Sequence, residues 1–326
     1  MSLAVSFEDI VAAAKRIEGV AVKTPLLENA ALNERVGGRV FLKPETLQHA
    51  GAFKFRGAYN RLVQLSDEER LKGVVAWSSG NHAQGIAAAA KRLGIRATII
   101  MPEDAPRIKV ENTKRLGAQI HFYDRQTESR EDIGHEMAKQ RGATLVPSYD
   151  DPHIIAGQGT VGLEILEQAA ELYVDLDAVF IPCGGGGLCA GSSLAIRSQT
   201  SGTEVFLVEP EGFDDTTRSL VSGKQEQIDK NSVSICDALL APFPGDMTFP
   251  INKTYVTAGI SVGENDIRNA IQFAWEHLKL VVEPGGVVAL AALLSGKYEC
   301  VDKVMAVVLS GGNVDAELYS DCILNF

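Results

Sequence analysis

A single lysine stands between two phenylalanines in the stretch GAFKFRGA, as Phe53, Lys54 and Phe55. A surface lysine gains little from two aromatic neighbours, and a core strand has no place for an ammonium. Either the stretch is simply amphipathic, or the amine is itself a reagent. Aromatic packing strips water from an amine, which lowers its pKa and favours the neutral, nucleophilic form.

Three glycine-containing stretches directly follow apolar, strand-like runs. DAVFIPC leads into Gly184, Gly185, Gly186 and Gly187 ahead of a helical pattern. Four residues without side chains let successive backbone N–H groups converge on an anion, and a helix N-terminus adds partial positive charge. A phosphate is the natural guest. No Lys-Ser/Thr pair follows, so this is not a P-loop, and a plain strand-to-helix turn is the bland reading. A dinucleotide, serving an oxidoreductase, is the rival guest, because Glu209 falls near the offset of a ribose-binding acid. The glycine spacing is not G-x-G-x-x-G, however, and the first half of the chain would be left without a role. SSGNHAQG offers Ser78, Ser79, Asn81 and His82 at a second junction, where amides and short polar side chains suit a carboxylate, although Ser79 and Asn81 are also ordinary helix caps. VVLSGGN ends a buried run at Ser310, whose hydroxyl can hydrogen-bond a neutral ring nitrogen or merely start a turn.

The elements that must position these groups are legible as an alternation. RVFLK, VVAWSS, ATIIMP, QIHFYD, TLVP, DAVFIPC, EVFLVEP and VMAVVLS read as strands buried on both faces. Amphipathic patterns such as NHAQGIAAAAKRLG, RIKVENTKRLG, SREDIGHEMAKQRG and GTVGLEILEQAAEL read as helices between them. That pattern predicts an α/β fold with parallel sheets and helices on both faces. The 326 residues are 45% hydrophobic and 22% charged, with a net charge of −11. The negative charge argues against nucleic acid and anionic membrane as partners. No apolar run approaches the roughly 18 residues of a spanning helix, and MSLAVSFEDI lacks the marks of a signal peptide. The five cysteines, Cys183, Cys189, Cys236, Cys300 and Cys322, include no C-x-x-C pair and are expected to be buried reduced thiols in a cytoplasmic protein.

A phosphate cradle, a carboxylate loop, a ring-facing hydroxyl and a desolvated lysine together describe pyridoxal phosphate chemistry. With GAFKFRGA, SSGNHAQG, AGQGT, GGGGLCAG, VEPEGFDD, VEPGG and LSGGNVD in this order, the chain resembles the fold-type II pyridoxal phosphate enzymes. Within them it is similar to the threonine/serine dehydratase and serine racemase family. The resemblance implies a tryptophan synthase beta-like fold of two open, twisted, mostly parallel sheets with flanking helices. Residues 1–70 and 150–326 would form a large cofactor-binding domain, and residues 71–149 a small domain closing over the site. It implies that Lys54 carries the cofactor as a Schiff base and then acts as base at the substrate Cα, with Phe53 packed nearby. Asn81 would bond the cofactor 3-hydroxyl, Gly184 to Gly187 its phosphate and Ser310 its ring nitrogen. Ser78, Ser79, Asn81 and His82 would receive the substrate carboxylate, and Ser79 aligns with the opposite-face base of the racemases.

Glu209, the Phe213 carbonyl and Asp215 look like the family's divalent-cation site, and such hard oxygen donors suit Mg2+, Mn2+ or Ca2+. Arg130 aligns with an arginine that could recognise a β-carboxylate; a solvated helix-start arginine between Glu128 and Glu131 is the other reading. One departure is CDA at Cys236 to Ala238, where many relatives carry Ala-Asp-Gly; the extra methyl would narrow the pocket. A C-terminal regulatory domain, and with it control by isoleucine, is not expected. The resemblance implies a homodimeric threonine/serine ammonia-lyase acting on a small amino acid, with serine racemase and 3-hydroxyaspartate ammonia-lyase as alternatives.

Overall fold

The computed structural model describes residues 3–105 and 107–324. Its strands are β1 (Leu27–Glu28), β2 (Arg39–Pro44), β3 (Val74–Trp77), β4 (Ala97–Pro102), β5 (Gln119–Tyr123), β6 (Thr144–Leu145), β7 (Ala178–Pro182), β8 (Glu204–Pro210), β9 (Ala258–Val262) and β10 (Val304–Leu309). They form two sheets, ordered β1-β2-β10-β7-β8-β9 and β5-β4-β3-β6. Every pairing is parallel except β1 with β2. This is the expected α/β architecture of two mostly parallel sheets with flanking helices. All eight apolar runs contain strands, and every residue of β7 is buried, as the cover of helices on both faces requires.

Two features differ from the sequence reading. Strands β1 and β9 were not anticipated, because a two-residue edge strand and the sequence AGISV carry almost no periodic signal. Burial on both faces fails at both edges of the four-stranded sheet: both residues of β6 are only half-buried, and in β5 only Tyr123 is buried and Phe122 stays 40% exposed. The Lys114 ammonium, 5.7 Å from the Phe122 ring centroid, covers part of that face.

The helix Lys54–Val63 packs between Asn81–Leu93 and Pro152–Glu171. The last begins where the Asp151 carboxylate accepts from the amides of His153 and Ile154, both at 2.9 Å, with Pro152 in its first turn. A Cβ on Gly157 would lie 2.6 Å from the Cα of Gly57, so only glycine permits this close helix crossing. Beneath it lies a buried ionic network. The Arg56 guanidinium donates to both oxygens of Glu45, each at 2.8 Å, and to both oxygens of Glu164, at 2.6 and 2.8 Å. Lys43, pointing from β2, donates to Glu164 at 2.6 Å, Gln168 at 2.8 Å and the Thr24 carbonyl at 2.7 Å. Arg56, Glu45 and Lys43 are wholly buried. Removing one partner of such a set leaves an uncompensated charge, at a cost of about 3–5 kcal/mol. The network therefore fixes the first turn of the Lys54–Val63 helix against β2 and the Pro152–Glu171 helix.

Candidate active site

Lys54 opens its helix, and the backbone of the Asn81–Leu93 helix passes close by: a Cβ on Gly85 would sit 3.1–3.2 Å from Lys54 atoms. The Lys54 amine lies 5.2 Å from the Phe53 ring centroid and donates to the Ser148 carbonyl at 2.7 Å. Phe55 turns away, stacking edge-on with His49 at 4.8 Å, so one aromatic ring rather than two borders the amine. Protein surrounds the amine while part of the side chain stays open to the cleft. Burial lowers its pKa from 10.5 to about 8, against the opposing pull of Glu283. At neutral pH the amine is still mostly charged, but its free base is far more accessible than that of an ordinary lysine.

The four glycines form the turn between β7 and the helix Gly187–Arg197. Gly186 adopts a φ of 91°, which a side chain would strain. A Cβ on Gly185 would collide with the ring of Tyr149, which packs against the turn. None of the four backbone N–H groups has an acceptor among the described residues, whereas the Gly185 carbonyl accepts from Thr248 Oγ1 at 2.7 Å. Buried amides left unpaired are costly. A cluster of them at a helix N-terminus fits a phosphate group.

A polar knot gathers around Asn81 at the start of its helix. The Asn81 amide donates to Glu283 Oε1 at 2.5 Å, and its oxygen accepts from Asn313 Nδ2 at 2.8 Å. Burial and the neighbouring Asp237 push the Glu283 carboxyl up to about 8, opposed by Asn81, Lys109 and Lys54. His82 is buried, with Nε2 at 3.0 Å from the Val146 carbonyl. That contact places the proton on Nε2 and leaves Nδ1 as an acceptor without a partner among the described residues. Burial, with the Lys54 charge nearby, drives the His82 pKa down to about 3, so the ring is neutral. The Ser78 hydroxyl accepts from the Gly80 amide at 3.1 Å, while that of half-buried Ser79 has no partner among the described residues. Ser310 is 4% exposed, and its carbonyl accepts from the Phe53 amide at 3.1 Å; this ties the end of β10 to the lysine stretch and leaves its hydroxyl uncommitted. Lys54, Asn81 and Ser310 thus meet at the carboxyl ends of strands from both sheets, where α/β folds bind ligands.

Glu209 and Asp215 are buried together at the end of β8. Glu209 accepts from the Thr216 amide at 3.2 Å and from the Thr217 amide and hydroxyl at 2.8 and 2.7 Å. Burial and repulsion from Asp215 push Glu209 up to about 8, and burial takes Asp215 to about 7. Asp215 Oδ2 and the Phe213 carbonyl accept no hydrogen bond among the described residues. Groups of three or more His, Cys, Asp or Glu able to hold a metal are absent from those residues, so a cation here would rest on two carboxylates and the carbonyl. The orphaned oxygen and the uncompensated pair fit a hard divalent cation. Arg130 is half-exposed and pairs with Glu131 at 2.8 Å, and its charge also acts on Tyr149 beside the glycine turn.

Sequence reasoning missed Glu283, Asn313 and Tyr149, although VEPGG and SGGNVD had flagged the first two stretches. Nor did it single out Lys109, which pairs with Asp237 across the cleft. Ala238, the departure beside Asp237, lies against Gly285 and Gly184.

Comparison with known proteins places this geometry. Residues 17–311 match the family described as pyridoxal-phosphate dependent enzyme. The chain is 44% identical to the L-threo-3-hydroxyaspartate ammonia-lyase of Saccharomyces cerevisiae, over 98% of this chain and 96% of the relative. It is 42% identical to the serine racemase of Schizosaccharomyces pombe, over 97% and 96%. The solved threonine deaminase of T.th. superposes with a TM-score of 0.90 at 39% identity, covering 95% of this chain and 99% of that one. An amine whose pKa burial has lowered, beside a turn of unpaired amides, is what an aldehyde phosphate requires, and with relatives this close along nearly its whole length, the chain belongs to the pyridoxal-phosphate dependent enzymes.

Proposed function

We propose that this enzyme is an ammonia-lyase that removes water and then ammonia from a small β-hydroxy amino acid, converting L-threonine or L-serine to 2-oxobutyrate or pyruvate. The observation that carries the reading is the pairing of Lys54, its amine lowered to about 8, with the acceptor-free amides of Gly184 to Gly187. Lys54 would hold pyridoxal phosphate covalently, the glycine amides its phosphate, Asn81 its 3-hydroxyl and Ser310 its ring nitrogen, with Phe53 alongside. When bound, the cofactor supplies an electron sink for the substrate Cα. The loop of Ser78, Ser79, Asn81 and His82 orients the substrate carboxylate, with its amides facing the anion at the start of the Asn81–Leu93 helix. Freed when the substrate amine takes its place on the aldehyde, Lys54 Nζ would accept the Cα proton and pass it to the departing β-hydroxyl. The β-hydroxyl leaves as water, and the released enamine hydrolyses to the 2-oxo acid and ammonia. A hydroxyl at Ser310, rather than a carboxylate, would hold the ring nitrogen neutral, and so would favour prompt loss of the β-substituent.

The uncommitted Ser79 hydroxyl supports a racemase side activity, since it can return a proton to the opposite face. A second substrate reading, 3-hydroxyaspartate, is favoured by Arg130, whose charge reaches Tyr149 at the glycine turn and suits a β-carboxylate. A relative with that activity is 44% identical. Glu209, the Phe213 carbonyl and Asp215 would hold Mg2+, Mn2+ or Ca2+. Residues 71–149, which contain the four-stranded sheet, would close over the larger unit formed by residues 1–70 and 150–326, and the working form would be a homodimer. Five buried free cysteines fit a reducing compartment such as the cytoplasm.

The test is to load the protein with pyridoxal phosphate and offer L-serine, L-threonine and L-threo-3-hydroxyaspartate, measuring pyruvate, 2-oxobutyrate, oxaloacetate and D-serine. Formation of 2-oxo acid that disappears in Lys54→Ala supports the reading. No 2-oxo acid from any of the three, or equal activity in Lys54→Ala, overturns it.

A further inference from the structure

The amino ends of the small-sheet strands carry a feature that the chemistry above does not use. A cavity of about 130 Å³ opens where β3, β4 and β5 begin, one strand length from the Ser78 to Asn81 loop at their other ends. Three cations line it, Lys72, Arg96 and Arg141, together with Thr98 and Gln119, over a floor of Val74 and Val75. No acidic side chain lines it, in a chain whose net charge is −11.

Each cation has a local reason to be present. Lys72 and Arg141 end their helices, where a positive charge meets the negative end of the dipole. Arg96 donates to the Leu71 carbonyl at 2.7 Å, in the last turn of the Asp67–Lys72 helix. Those roles explain the cations one at a time and not their convergence. The stem of Lys72 lies over Gly142, so that a Cβ there would be 3.0 Å from Lys72 Cδ and 3.6 Å from its Nζ, which sets the ammonium at the end of the helix that Arg141 closes. At these exposed positions water and salt screen part of the repulsion among the three charges, and an anion held between them would turn the rest into attraction. Lys72 alone has a carboxylate partner, Glu68 at 2.6 Å. Arg141 spends one hydrogen bond, to Thr98 Oγ1 at 3.1 Å, and Arg96 spends the one to Leu71. Neither guanidinium has a carboxylate within salt-bridge distance among the described residues. A guanidinium carries five N–H donors, so most of both sets remain for a ligand.

We propose that this cavity is a binding site for a tetrahedral oxyanion of the phosphate class, separate from the glycine turn. Lys72, Arg96 and Arg141 are exposed, so the site is an open depression, and its volume, far below the roughly 300 Å³ at which drug-sized ligands begin, suits a single small anion. Paired guanidinium forks match phosphate oxygens, and the Lys72 ammonium adds a third contact. A bound phosphate would tie together the Asp67–Lys72 helix, the start of β4 and the end of the Arg130–Arg141 helix, which opens with Arg130 at the other end.

The experiment uses enzyme loaded with pyridoxal phosphate, so that the glycine turn is filled. Inorganic phosphate is titrated at constant ionic strength against chloride, with binding followed by calorimetry and thermal melting. Saturable binding with a rise in Tm is expected, weakened about tenfold or more in Arg141→Gln and Arg96→Gln, as the loss of one charge-assisted bond implies. Circular dichroism and cofactor content establish that the variants fold; Lys72→Gln, at a half-exposed position, gives the same readout if an arginine variant does not. Glycerol phosphate binding alongside inorganic phosphate identifies a phosphorylated metabolite as the source, and its failure to bind identifies free phosphate. Loss of the effect at matched ionic strength, unchanged affinity in all three variants, or tighter binding of malonate than of phosphate would overturn the proposal.

Discussion

Replacing Lys54 with Met tests the electrostatics of the site without involving catalysis. The wild-type amine falls from 10.5 to about 8 on burial. That drop corresponds to on the order of 3 kcal/mol by which the folded state disfavours the ammonium. Part of the side chain stays open to the cleft, and the bond to the Ser148 carbonyl is lost in the variant, so about 2 kcal/mol is the expected net gain for Lys54→Met in cofactor-free protein. The sign depends on pH. Below about 8 the amine is charged in both folded and unfolded chains, and the full penalty applies. Between about 8 and 10.5 the folded amine is neutral while the unfolded one still binds its proton, so wild-type stability climbs toward that of the variant. Above 10.5 the ammonium penalty vanishes, and only the lost bond to Ser148 and the change of side chain distinguish the two proteins. Glu283 is present in both proteins, but the Lys54 charge holds its pKa down, so losing the ammonium raises the Glu283 pKa further and that change adds to the pH dependence of the difference. The assay is urea unfolding of both proteins, stripped of cofactor, at pH 7, 8.5 and 10. A variant less stable than wild type at pH 7, or a gap that does not narrow by pH 10, would refute the reasoning.

Arg56→Met should destabilise the protein by about 3–5 kcal/mol in urea unfolding, because Glu45 would keep its buried charge without the guanidinium. Gly185→Ala should weaken pyridoxal phosphate binding by at least about tenfold in equilibrium dialysis, since its methyl must displace Tyr149 from the turn. Adding Mn2+ to chelator-treated protein should raise Tm, and Asp215→Asn should abolish that rise, the orphaned Oδ2 being the oxygen the cation lacks elsewhere.

What could be read in advance divides by the range of the signal. The glycine turn and the lysine stretch were legible because local chemistry, bare backbone after an apolar run and an amine among rings, announces them within a few residues. Strands β7, β8 and β10 were legible because burial on both faces demands continuous apolar sequence. The edges were not: β9 contains Gly259 and Ser261, and its pairing with β8 is a tertiary outcome. Glu283 was hidden for a related reason. Its meaning comes from Asn81, far away in sequence, and from Asp237 and Lys109, which the fold brings near. The second phenylalanine misled in a small way, because the first helical turn rotates Phe55 away from Lys54 toward His49.

The pairing of β2 with β10 has a consequence for biogenesis. The strand that leads into the lysine stretch finds its central neighbour only when nearly the whole chain has been made. The four-stranded sheet, by contrast, draws all its strands from one continuous stretch. Contacts between distant segments form late because of the loop they must close. During synthesis the smaller sheet can therefore assemble first, while the segment that carries Lys54 waits for the last strand to emerge.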